Sequence, residues 1–132
     1  MFLPDLVAYL GANAGILALL PTTQIYTDIL AEGPLPALVL VMTPSKREHV
    51  LTGEFDGLHR DEMEIECWGL KKQDALTVRD AVLAAIDGFA GQFMGSTYVN
   101  GILVREDEGP VAQAFGTRRQ YLHVLRLLVQ HN

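Results

Sequence analysis

Cysteine is nearly missing from this 132-residue chain. Cys67 stands alone, which excludes an internal disulfide framework and leaves a reducing cytosol compatible. Positive charge is scarce as well. Ten Lys and Arg face sixteen Asp and Glu, giving a formal net charge of −6, and no Lys or Arg precedes Lys46. Binding nucleic acid through its phosphates requires a basic footprint, so that function class is disfavoured. Ser45 and Ser96 have no neighbouring base and no nucleophile-elbow context. Gly53, Gly57 and Gly69 are isolated, and Gly11 to Gly15 follows no strand, so no phosphate-cradling loop is present. A long hydrophobic run is missing too. The apolar start, Met1 to Leu20, is broken by Gly11, Asn13 and Gly15, carries Asp5 and lacks a basic n-region, which counts against a signal peptide or a membrane span. A soluble chain with no membrane association is expected.

What is present suits a folded protein. Hydrophobic residues make up 49% and charged residues 20% of the chain. A chain of this length buries roughly two-thirds of its unfolded surface without help, so residues 1–132 read as one domain.

The most informative stretch runs from Leu58 to Phe89. Glu62, Glu64 and Glu66 alternate with Met63, Ile65 and Cys67 up to Trp68-Gly69, a strand with one wet and one buried face. Cys67 therefore reads as a small buried hydrophobe rather than a nucleophile. A helix follows from about Asp74 to Gly88. Ala75, Val78, Val82, Ala85, Ile86 and Phe89 recur at its spacing, and Thr77, Arg79, Asp80 and Asp87 take the wetter side. Asp74 is its N-cap or a first-turn acid, and Gly88 or Gly91 ends it.

Before this unit, a helix begins near Pro4 with Asp5 in its first turn, weakens at Gly11-Ala12-Asn13, and resumes until Pro21 stops it. Ile25-Tyr26 is a short edge strand or an extended crossing segment. Ala37 to Met42 reads as a strand buried on much of both faces. Ser45 to Gly57 is a polar excursion or the extended tip of a hairpin. It is the best candidate for a working loop, and Lys46, Arg47, Glu48, His49, Phe55 and Asp56 are its candidate contact residues.

After the unit, Gly91 to Gly95 reads as a loop. Tyr98 to Arg105 reads as a strand, with a bulge or tight turn at Asn100-Gly101. Glu106 to Gly116 reads as a second loop, whose Glu106, Asp107 and Glu108 either make contacts or line a channel. Arg118 to Gln130 fits both a strand and a helix. The strand is preferred because the sheet needs closing.

Catalytic and metal sites are not expected. His49, His59 and Asp61 are the nearest approach to a metal cluster, and they read as ordinary loop polarity. Glu62, Glu64 and Glu66 lie about 7 Å apart along one strand face, as a carboxylate pair would, but an exposed acidic stripe explains them. Trp68 reads as a core or boundary anchor. No cofactor is implied.

The order of elements resembles the tail-completion or tail-terminator proteins of long-tailed bacteriophages. The resemblance is carried by the N-terminal helical region, Ile25-Tyr26, Pro36 leading an apolar strand, and Gly53 in the connecting loop. The alternating strand ending in Cys67-Trp68 and the helix with Ala75, Val78, Ala81-Val82 and Ala85-Ile86 complete it. Arg118 to Val129 shows no matching signature. With the pattern above, the resemblance implies an α+β fold: an antiparallel sheet of about four to five strands with two helices packed on one face. It also implies a structural, non-catalytic virion protein, made in the host cytoplasm and placed at the head–tail interface. There a six-membered ring would stop polymerisation of the tail tube protein and dock a head-completion or connector protein, while DNA passes through its lumen unbound. An acidic surplus suits such a channel. A head-completion or connector protein is the nearest alternative, and a small cytosolic ligand-binding domain or enzyme the more distant one.

Overall fold

A computed structural model describes residues 2–21, 24–27, 33–42, 46–49, 55–115 and 118–131. Helices α1 (Phe2–Gly11) and α2 (Ala14–Leu17) open the chain, followed by strands β1 (Ile25–Thr27), β2 (Ala37–Met42), β3 (Lys46–His49) and β4 (Phe55–Gly69). Helix α3 (Lys72–Ile86) comes next, then β5 (Gln92–Met94), β6 (Thr97–Phe115) and β7 (Arg118–His131).

The fold is α+β. Its strands run β1-β2-β4-β7-β6-β5, and β3 pairs with β4 beyond the end of β2. Among the described strands only β1 and β2 pair in parallel. The sheet thus has seven strands among the described residues, where four to five were expected, and three helices stand in place of two. The added strands are β3 and β5, and β5 comes from a segment read as a loop. Gln92–Met94 pairs with β6 between Gly91 and Gly95, whose positive φ angles close the turns that flank it. Glycine punctuation hid a three-residue strand. The supposed 106–116 loop is a larger correction: β6 runs through it to Phe115 and pairs with β7 on both sides of the irregular Gly109-Pro110 step. Its acids and Gly109-Pro110 carry turn chemistry, but the ladder to β7 prevails by taking up register shifts at Val104/Glu106 and Glu108/Val111. A further shift at Val99/Gly101 is the bulge expected there.

The ambiguous last segment is a strand, and β7 is central, laddered on both sides by β4 and β6. The polar excursion is a hairpin in which β3 runs antiparallel to β4, with His49 opposite Phe55. Residues 45 and 50–54 of that excursion, Gly53 among them, lie outside the described residues.

Burial follows the strand period. On β4, Asp61, Met63, Ile65 and Cys67 are buried, and on β7 so are His123, Leu125, Leu127, Val129 and His131. This face and the helices share one core, to which α1 contributes Phe2, Leu6 and Leu10, and α3 contributes Val78, Val82, Ala85 and Ile86. Two polar ties fix the helices. Tyr9 donates to the Ala85 carbonyl at 2.6 Å, and Asp5 accepts from Ser96 and Thr97 at the β5–β6 turn. At the β4–α3 corner, a Cβ on Gly69 would lie 2.7 Å from the Ala75 nitrogen, so only glycine lets the helix start this close to the strand.

Candidate interaction surface

Among the described residues nothing covers the side of the sheet away from the helices over β4, β7 and β6, and it gathers residues from three stretches of sequence. Cross-strand register sets Glu62 beside Leu128 and Leu103, Glu64 beside Arg126 and Glu106, and Glu66 beside Val124 and Glu108. Trp68, Leu122 and Val111 form the next row. Leu103 is 59% and Val111 56% exposed. The face is therefore apolar at both ends and charged in the middle.

Arg126 organises the middle. Its Nε donates to Glu64 at 2.9 Å, and one terminal nitrogen donates to Glu106 and, at 3.4 Å, to Glu108. Arg105 reaches Glu62 at 3.4 Å, and Trp68 donates its indole N–H to Glu66 at 3.1 Å. The hydrogen bond and charge of Arg126 hold the Glu106 carboxyl below the usual carboxylate range, and the two glutamates in turn raise the Arg126 guanidinium. Around this group lies an open depression of about 410 Å³. The stripe read from the sequence is real in its spacing, but Glu64 and Glu66 are half-buried and bonded rather than freely exposed.

The sequence-derived sites divide accordingly. Glu106 and Glu108 lie on the open face, on a strand and not on a loop. Asp107 points the other way, accepting from Arg79 of α3 at 2.9 Å and pairing with His123 Nε2. Burial opposes its ionisation, yet these two partners outweigh burial and keep its pKa low. Lys46, Arg47, Glu48 and His49 lie on β3, with Phe55 and Asp56 at the start of β4, so one hairpin carries all six. Sequence reasoning missed Arg126, which sits between Leu125 and Leu127 in an apolar strand. Only the cross-strand register joins it to acids 18 to 62 positions away.

Asp61, considered with His49 and His59 for a metal, is buried and pairs instead with His131 at 2.5 Å. Among the described residues, no group of three His, Cys, Asp or Glu side chains is placed to hold a metal ion. Cys67 lies opposite His123, which contacts Asp107, so the residue types of a thiol relay do meet. The thiol is fully buried and burial pushes its pKa up, while His123 Nδ1 has no hydrogen-bond partner among the described residues. This arrangement supplies no accessible thiolate. No described helix is long and apolar enough to cross a membrane.

Acid should loosen this arrangement. Asp107, Glu106 and Asp5 (held low chiefly by its hydrogen bond from Thr97) all titrate lower in the folded chain than their ordinary values. The unfolded chain therefore binds protons first, and the stability these groups confer above about pH 4 is lost as pH falls through their folded values. Thermal unfolding between pH 7 and pH 3 should show a Tm that falls steadily below pH 4. A flat Tm across that range would refute the assignment.

Comparison with known proteins agrees with this architecture. No curated protein sequence matches the chain. A chain from the virion of the native gene transfer agent (GTA) particle has the same fold. It aligns with a TM-score of 0.60 at 16% identity, over 95% of this chain and 90% of that one. The family model of the tail completion protein gp17 matches residues 4–119, a span from the first turn of α1 to the start of β7. By that match the chain belongs to the tail completion protein gp17 family, structural proteins of the bacteriophage tail.

Proposed function

We propose that this chain, one domain per subunit, closes a six-membered ring on the head-proximal end of the tail tube. The ring ends polymerisation of the tube protein, and its far side receives the head-completion or connector protein. It is built in the host cytoplasm and then belongs to the virion. The observation that carries this reading is the uncovered sheet face, half apolar and half charged. Such a face suits a partner surface better than a reaction site, since its polar groups bond one another instead of converging on a pocket. Family membership and the shared fold of a virion chain support it.

The hairpin of β3 and β4 extends beyond β2 and is the natural contact with the tube, through Lys46, Arg47, Glu48, His49, Phe55 and Asp56. For Glu106 and Glu108 a contact role is favoured over a channel lining, because Arg126 partly neutralises them and Leu103, Leu128 and Val111 adjoin them. The surplus of negative charge keeps DNA moving through the lumen without retention. The subunit acts by shape and binding, not by catalysis.

The test is reconstitution. Tube protein polymerised alone should give lengths without an upper bound, and adding this chain should arrest growth and leave a ring on one tube end by electron microscopy. Growth unchanged at saturating chain would overturn the proposal.

A further inference from the structure

The corner between β4 and α3 carries three consecutive exposed side chains. Leu70 is 47% exposed, and Lys71 and Lys72 beside it are exposed as well. Lys71 occupies the N-cap of α3 and makes no side-chain cap hydrogen bond. Helix N-termini favour Ser, Thr, Asp or Asn as caps and acids in the first turn, because the backbone dipole is positive there. Two lysines at that end work against the helix. The corner is also held in place, since Gly69 sits so close to Asp74 and Ala75 that their backbones nearly touch.

The uncovered sheet face has the opposite character. Five glutamates (Glu62, Glu64, Glu66, Glu106 and Glu108) meet three arginines (Arg60, Arg105 and Arg126), a surplus of two negative charges. Next to them lies a hollow of about 220 Å³, lined by Gly101, Leu103, Leu128 and Gln130. One exposed leucine followed by two lysines is complementary to that hollow and to the net acidic character of the face beside it. Within one subunit Leu70 cannot reach the Leu103–Leu128 hollow, which lies in the row of Glu62. Glu62 and Gly69 are seven residues apart on an extended strand, roughly 23 Å. A pair of different, complementary patches on one subunit is what a head-to-tail contact requires, and rotation between copies then closes a ring.

We infer that the Leu70-Lys71-Lys72 corner of one copy docks on the open sheet face of the next, with Leu70 in the Leu103–Leu128 hollow and the lysines towards Glu62, Glu106 and Glu108. This contact rests on the ring proposed above and names the surfaces that form it. The occupant of the face is a second copy of this chain.

Cross-linking decides the matter, because the single native thiol is buried and leaves a quiet background. Full-length Lys71→Cys and Glu108→Cys variants are purified separately, mixed, allowed to assemble with tube protein, and treated with a short bis-maleimide. Mixed pools should yield covalent dimers, and a chain carrying both substitutions should yield a ladder reaching the ring; each single pool should not. Lys71→Glu/Lys72→Glu should weaken self-association roughly tenfold or more, and adding Glu106→Lys/Glu108→Lys should restore it. Light scattering and electron microscopy run in parallel. Rings that form normally without cross-links, or without charge dependence, would overturn this contact and leave the ring intact. Cross-linking of Glu108→Cys to tube protein instead would assign the face to the tube and overturn it as well. Chains that remain monomeric both free and on tubes would remove the ring reading itself.

Discussion

Replacing His131 with alanine should lower the free energy of unfolding by about 3–5 kcal/mol. The imidazole contacts Asp61 Oδ2 at 2.5 Å, both side chains are almost wholly buried, and Phe2 stacks on the ring at 5.1 Å. Among the described residues Asp61 Oδ1 has no hydrogen-bond partner, so removing His131 strands the whole carboxyl inside the core. The loss should be largely reversed in Asp61→Leu/His131→Leu, where no buried charge remains to be compensated. Urea denaturation of the three proteins at pH 7 measures this. A loss under about 1 kcal/mol in the single variant would mean the pair is not buried as described. The pair joins the last strand to the middle of β4, and the Phe2 stack adds the first helix. Both chain ends thus depend on it.

Gly109→Ala should cost about 3 kcal/mol, by two effects that add. The residue has a φ of +117°, a conformation that side-chain-bearing residues rarely adopt. A Cβ there would also lie 2.8 Å from the Leu122 carbonyl oxygen and 3.2 Å from the His123 Cα, both backbone atoms of the central strand. The glycine sits in the irregular step between Glu108 and Val111, which lets the β6 ladder resume after the acids. Its substitution should therefore loosen β6 against β7 locally. Amide hydrogen exchange at 111–113 and 120–122 should accelerate more than in α3, whereas uniform acceleration would place the strain elsewhere.

Much of the fold was legible because local pattern and tertiary environment agree. The alternation from Glu62 to Cys67 and the spacing from Ala75 to Ile86 each describe an element with one buried face, and those faces share a core. The ending was decided less by pattern than by the need to close a sheet; it is a strand, but a central one that joins β4 to β6. Where local and non-local signals conflict, sequence reading followed the local one. Glu106-Asp107-Glu108-Gly109-Pro110 has the composition of a turn, yet a long ladder to β7 holds it extended. The candidate surface was legible only in part. Its acids were identified, but their neutralisation by Arg126, the inward turn of Asp107, and the addition of Leu103 and Val111 all depend on register. A bulge of one residue changes which side chains share a face, and composition alone does not place it.

The proposed ring sits at the head-proximal end of the tail. Cryo-electron microscopy of intact particles tests it most directly. Six copies should encircle the last layer of tube protein, with the β3–β4 hairpins towards the tube and each open sheet face covered by its neighbour's α3 corner. Density for the chain at the far tip, along the tube's flank, or as isolated copies without mutual contact would contradict the account.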